Sequence, residues 1–436
     1  MPLESLAPEL VSLILQNVES RDLHNLIAAS PACFRIFSQT PQLILSSVIG
    51  NAIPIETLKH FLAVLQAPTP ATNNHVSRFL DRYFDASSSF DFPTTRGDLI
   101  SLYQVYNRVN YLITRYLRQM KELGFDETIL VPSSSESIRL QRSFLRFEVY
   151  CRVFPADDTR PWENPSPNHQ FSAVEQFGLF ISRLSPWEVE EMACIHLYSY
   201  LLIGEYIDRL EDNTGPESET KGEEDENDKS DTLRDFTALD LTKLVLFSKD
   251  GRYRSPDSIS YMTSLGLQFT CNLDASESRR SELIRSNSPF YRDFLPEALN
   301  HSPLWPPEHQ YNEFSMEETS IDDDPSAENL GYCVFRKNRD RGHIYIAITH
   351  QGSYYSTLRQ LGYVFWDSDR IRSSEISARL EAAGAMTVDE LYKRFDRRTR
   401  KGVEARLEGL KLPREQFDKI EREFGYIRRP LPEGWD

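Results

Sequence analysis

The sequence predicts a mainly α-helical protein, and three observations carry that expectation. Short helices in the first fifty residues start at Ser-Pro, Thr-Pro or Ala-Pro pairs, where proline's missing N–H and fixed φ suit the first helical position. Longer stretches farther on repeat apolar residues every three or four positions, the period of one helix face. Only two short runs, Tyr332–Phe335 and His343–Thr349, have β-like composition.

The first helix starts at Pro8, with Leu10, Val11, Ile14, Leu15 and Val18 as its apolar stripe. Ser20-Arg21-Asp22-Leu23 opens a second, with Leu23, Leu26 and Ile27 on one face. Ser30-Pro31 and Thr40-Pro41 each combine a capping hydroxyl with proline, and start helices carrying Phe34 and Phe37, then Ile44, Leu45 and Val48. A bundle of roughly 45 residues buries too little surface to stand alone. Its leucines need cover from the rest of the chain or from another protein.

Beyond it, Ile55, Leu58, Phe61, Leu62 and Leu65 continue at helical spacing, and Gln66 to Asn74 reads as a loop. A long helix is expected from Asp98 to Met120 with Leu99, Tyr103, Tyr106, Ile113, Leu117 and Met120 as its seam. Another is expected from Ser135 to Phe154, with Leu140, Phe144, Phe147 and Cys151 inward. Ser185-Pro186-Trp187-Glu188 forms a capping box ahead of a helix that is apolar nearly all round, the mark of a core helix.

From Glu211 to Asp231 ten acidic residues and two lysines occur without an aliphatic or aromatic side chain, which predicts a disordered linker or a solvated insertion. After it, Leu239 to Phe247 reads as a helix, and Ser255-Pro256-Asp257 caps another that stops near Gly266. Pro303 to Asn329 reads as a surface excursion, and the two β-like runs after it are compatible with one small hairpin. Leu361-Gly362-Tyr363-Val364-Phe365-Trp366-Asp367, the densest aromatic cluster, is expected to be a buried anchor. Thr387-Val388-Asp389-Glu390 and Pro413 mark two last helices. The expected organisation is thus a module at 1–50, a helical domain at 51–210, an acidic linker or insertion at 211–233 and a mostly helical region at 234–436 that packs with 51–210. No repeat of 20–50 residues recurs.

The 436 residues are 40% hydrophobic, enough for an ample core, and carry a net charge of −17. An acidic chain is repelled by phosphate, which argues against generic nucleic-acid or membrane binding. Five scattered cysteines without a CxxC fit buried thiols in a reducing compartment, not disulfides or zinc. No signal-peptide pattern and no apolar run of about 20 residues is present, so a cytoplasmic or nuclear location is expected.

No phosphate loop, dinucleotide fingerprint, nucleophile elbow, zinc-protease pair or EF-hand occurs. His196 lies mid-helix after Glu190 and Glu191 and reads as a core histidine rather than a base. Asp322-Asp323-Asp324 reads as a solvated loop, and Arg397 to Lys401 as a salt-bridged helix face. No catalytic residue, metal ligand or cofactor is expected.

Leu6-Ala7-Pro8-Glu9-Leu10, Asp22-Leu23 and Ser30-Pro31-Ala32-Cys33-Phe34-Arg35 together resemble the F-box, in the variant common in filamentous fungi. The F-box is the adaptor-binding module of SCF-type ubiquitin ligases. Two positions depart from the pattern: Ala7 stands where the family has its first proline, and no tryptophan follows the basic residue of helix three. The block from Gly362 to Asp367 is similar to one in fungal proteins with F-box-like N-termini. The resemblance implies a non-catalytic subunit that binds a Skp-family adaptor, and through it a cullin ligase, while the larger domain holds a target protein. It implies adaptor contacts at Leu6, Pro8, Glu9, Leu10, Ile14, Leu23 and Leu26. The alternative is a helical scaffold whose F-box-like cap packs inward and meets no ligase.

Overall fold

The structure is a computed structural model that describes residues 5–69, 71–122, 131–155, 171–213, 256–274, 277–287, 295, 329–332 and 358–385. The fold is mainly α: helices dominate these residues, and no strand occurs among them. The chain divides into two compact units, 1–155 and 156–436. Of the expected elements, the helix at 239–247, the two β-like runs except Tyr332, the acidic and basic clusters at 322–324 and 397–401, and the last two helices lie outside the described residues. Tyr332 itself closes a single helical turn.

The first unit contains eight helices among its described residues: α1 (Pro8–Asn17), α2 (Ser20–Ala29), α3 (Pro31–Gln39), α4 (Pro41–Ala52), α5 (Ile55–Gln66), α6 (Asn73–Phe84), α7 (Arg96–Glu122) and α8 (Ser134–Val153). Proline opens α1, α3 and α4 as expected. The Ser30 hydroxyl accepts the Cys33 N–H at 3.4 Å, a weak cap. Thr40 departs from the expectation. Its side chain makes no capping bond, so proline alone punctuates α4. The strongest start belongs to α8, where Ser133 and Glu136 form a reciprocal capping box.

Helix α4 is the hinge of the packing. It lies against α1 on one side and α7 on the other, and buries Ile44, Leu45, Val48 and Ile49. The first fifty residues therefore pack with the next hundred in the first of the two compact units. Helix α5 packs along α8, and both meet α7. A buried polar chain ties these three together: Thr57 Oγ1 donates to Gln141 Oε1 at 3.2 Å, and Gln141 Nε2 donates to Asn110 Oδ1 at 3.1 Å.

Helix α6 adds to the elements expected from the sequence, with Val76, Phe79, Leu80 and Tyr83 buried at a spacing of three or four. The seam of α7 also differs from expectation. Leu99, Ile113 and Met120 of the expected seam are buried, together with Leu102, Val105, Val109, Leu112 and Tyr116, while Tyr103, Tyr106 and Leu117 are half-buried. α7 is apolar or aromatic over more than one face, so the positions of α4, α5 and α8 decide which stripe is covered. The helix starts at Arg96 because the Thr95 hydroxyl accepts the Asp98 N–H at 3.2 Å.

In the second unit, α9 (Ala173–Leu179) opens on a Ser172/Glu175 capping box, and a 3-10 turn at Ile181–Arg183 leads into α10 (Pro186–Asn213). α10 runs to Asn213, three residues into the stretch expected to be a linker. At its start only the returning half of the expected box forms, Ser185 N–H donating to the Glu188 carboxylate at 3.0 Å. As expected of a helix apolar all round, it is buried at every position from Val189 to His196. The unit's further described helices are α11 (Pro256–Ser264), α12 (Gly266–Asn272), α13 (Glu277–Asn287), α14 (Ser368–Ile371) and α15 (Ser374–Ala385). α11 and α13 pack directly on α10. Tyr206 on α10 bonds Asp274 through its hydroxyl, with the Arg280 guanidinium 4.4 Å from its ring centre. Gly266 takes φ 80°, which lets the chain turn from α11 into α12 at once.

Candidate partner-binding surface and the buried ionic cluster

Two places hold residues that chemistry could use, one in each unit. The first is α1. Val11 and Leu15 are buried on its inner side against α4, where Asn51 Nδ2 donates to the Gln16 carbonyl at 3.2 Å and fixes the pairing. Within α1, Leu10, Leu13 and Ile14 recur at i, i+3 and i+4, which places them on one stripe away from Val11 and Leu15; Leu6 precedes the helix, whose N-cap is Ala7. Leu10 is 50% exposed and Leu13 56%, while Leu6 and Ile14 are half-buried. α1 is thus apolar on two faces, and its own unit covers one of them.

The other residues implied as contacts divide. Pro8 and Glu9 are exposed, and Leu26 is half-buried. Leu23 is buried, 5% exposed, on α2, which packs against α3 and α4. Two exposed side chains extend the apolar inventory of the module, Phe34 on α3 at 57% and Leu43 on α4 at 52%. Leu13 and Leu43 were absent from the contacts drawn from the motif. A count of apolar positions off the buried stripe of each helix would have found them.

The second place is the interior of unit two. Glu190, on α10 and fully buried, accepts two hydrogen bonds from Arg359: Nη2 to Oε1 at 2.8 Å and Nε to Oε2 at 3.0 Å. The Tyr363 hydroxyl adds a third, to Oε2, at 2.8 Å. Arg359 is 3% exposed and Tyr363 is fully buried. Desolvation works against the guanidinium's charge, but the charge and hydrogen bonds of Glu190 outweigh it and raise the Arg359 pKa above its ordinary value. Burial first, and then the neighbouring Glu190 carboxylate, push the Tyr363 phenol and the Cys194 thiol well up.

The cluster holds its charges in place and offers no reactive group. The carboxylate accepts three hydrogen bonds, the phenol and thiol keep their protons, and all three side chains of the cluster are out of solvent. His196, two residues beyond Cys194, is buried as expected, and burial followed by the Arg359 charge lowers its pKa to about 3. It is neutral at pH 7. Its signature is acid sensitivity: below the unfolded value of 6.5 the unfolded chain takes a proton that the folded one refuses until about pH 3. Stability should fall as pH drops through that window, by up to about 1.4 kcal/mol per pH unit from this residue. Urea unfolding at pH 7 and pH 5 should show a smaller difference for His196→Gln than for the wild type; equal differences would rule the residue out as a source.

The pairing of Glu190 with Arg359 is not anticipated in the sequence reading, although a signal exists. A glutamate inside an apolar helix requires a cation, and Arg359 stands at the edge of the one dense aromatic block. Cys33, Cys151 and Cys194 are buried and Cys271 half-buried, all as free thiols. Among the described residues no group of His, Cys, Asp and Glu could hold a metal ion, and no helix is long and apolar enough to cross a membrane. Comparison with protein-family models, with curated proteins and with solved structures finds no match.

Proposed function

We propose that this chain is a non-catalytic recruiting subunit of an SCF-type ubiquitin ligase, binding a Skp-family adaptor through α1 and its neighbours and a target protein elsewhere. The observation that carries the reading is the second apolar face of α1, where Leu10 and Leu13 are exposed and Ile14 is half-buried, with Leu6 half-buried just ahead of the helix. Exposed leucines at helical spacing are the anchors of helix-in-groove recognition. A specific interface needs about 800 Å² from each partner; Phe34 and Leu43 add to what the stripe can supply. The work of such a subunit is proximity. It raises the local concentration of a target near the ubiquitin-charged enzyme and makes no bond itself.

One observation favours the second reading, a helical scaffold that meets no ligase. Leu23 is buried, and α4 packs the module against α7, as a cap that serves its own domain would do. Capture of purified Skp-family adaptor by the full chain separates the two. Leu10→Asp and Ile14→Asp should each abolish capture. Leu10→Asp should also leave the thermal midpoint almost unchanged, because half of that side chain already lies in water. Failure of the wild type to capture the adaptor would leave the scaffold reading.

A further inference from the structure

The consecutive buried residues of the 358–366 segment pose a question of register. Leu358, Leu361, Tyr363, Val364, Phe365 and Trp366 are all buried, without alternation. Along α10, Val189, Met192, Ala193, Cys194 and Ile195 are all buried as well, and the polar side chains buried among them are Glu190 and Glu191. Hydrophobic burial is non-directional, so two apolar runs of this kind fit one another at several offsets. The contacts from residues 329–332 do not choose among those offsets either. Asn329 Nδ2 donates to the Val364 carbonyl at 3.2 Å, and Gly331 lies against the Tyr363 carbonyl. Both address main chain, which repeats at every residue.

The Glu190 cluster is different because it reads side chains that occur once. Arg359 and Tyr363 converge on the same carboxylate, 169 and 173 positions away in the chain. We propose that this cluster is a register lock: its role is to index the 358–366 segment to one position on α10, rather than to add net stability. A shift of the segment by one residue in either direction leaves a carboxylate and a guanidinium buried apart, which a low-dielectric interior penalises heavily. Apolar replacements of similar volume often leave a protein as stable as the ion pair did, so the lock and the stability can be separated by experiment.

The test uses the full chain with Glu190→Leu, Arg359→Met and Tyr363→Phe combined, compared with wild type, Glu190→Gln and Tyr363→Phe. The triple variant should recover most of the thermal midpoint lost by Glu190→Gln. Its peptides covering 358–366 should nonetheless exchange hydrogen as two or more populations, or with protection reduced about tenfold. Tyr363→Phe alone, with the Arg359 fork intact, should keep a single protected population. A triple variant with wild-type protection in one population would mean that shape alone sets the register and would overturn the proposal. So would a triple variant no more stable than Glu190→Gln, since the cluster would then be serving stability itself. Two populations in Tyr363→Phe would overturn the assignment of the index to the Glu190–Arg359 pair.

Discussion

Glu190→Gln is expected to destabilise the second unit by about 3–5 kcal/mol, the cost typical of breaking a buried ion pair from one side. The substitution changes shape hardly at all. It removes the charge that Arg359 answers, and it replaces an acceptor of three hydrogen bonds with an amide whose NH₂ faces donors. The guanidinium side chain is only 3% exposed, so little water is at hand to replace the carboxylate. Its pKa is raised above the ordinary value mainly because Glu190 offsets desolvation, so with the carboxylate gone the cost of burying the charge is uncovered. The urea midpoint of the transition reported by hydrogen exchange across 358–366 measures the effect. A shift corresponding to less than about 1 kcal/mol would mean that the guanidinium finds another answer in the folded chain, against the geometry of the cluster.

Much of this architecture is legible in the amino acids, and the places where it is not have physical reasons. Proline at the first helical position is a local signal, and it located the starts of α1, α3 and α4 without knowledge of any neighbour. Apolar residues on nearly every side from Val189 onward mark α10 as a core helix, and three aromatics within four positions mark Tyr363 to Trp366 as an anchor. Both inferences need only the composition of one segment. The choice of buried stripe on α7 is different in kind. Tyr103 and Leu102 are equally good candidates until α4, α5 and α8 are in place. Leu23 shows the same limit at the proposed surface, because whether a leucine faces a partner or a sister helix depends on crossing geometry that one helix's period does not contain. The Glu190–Arg359 pair spans 169 residues, and spacing carries no information at that range.

Gly331→Ala should be strongly destabilising for so small a change, because the space for a single methyl group is already occupied by main chain. A Cβ on residue 331 would stand 1.8 Å from the Tyr363 carbonyl oxygen, 2.7 Å from its carbon and 3.2 Å from the Val364 Cα. Overpacked positions relax when a side chain can swing aside. Here both parties are backbone, and each is held. Asn329 Oδ1 accepts the Tyr332 N–H at 3.0 Å on one side, while Tyr363 is bound to Glu190 and Trp366 Nε1 to the Leu361 carbonyl at 2.8 Å on the other. The glycine is required by distance rather than by φ, as it lies in a helical turn that alanine adopts freely. The expected loss is at least about 3 kcal/mol, beyond the usual range for an added methyl, read as a fall in the thermal midpoint and in protection at 358–366. Gly50→Ala is the matched control: it sits in α4 with nothing within 4 Å of its built Cβ, and should stabilise by up to about 1 kcal/mol through helix propensity. Equal and small effects at the two glycines would mean that 329–332 and 358–366 do not meet as described.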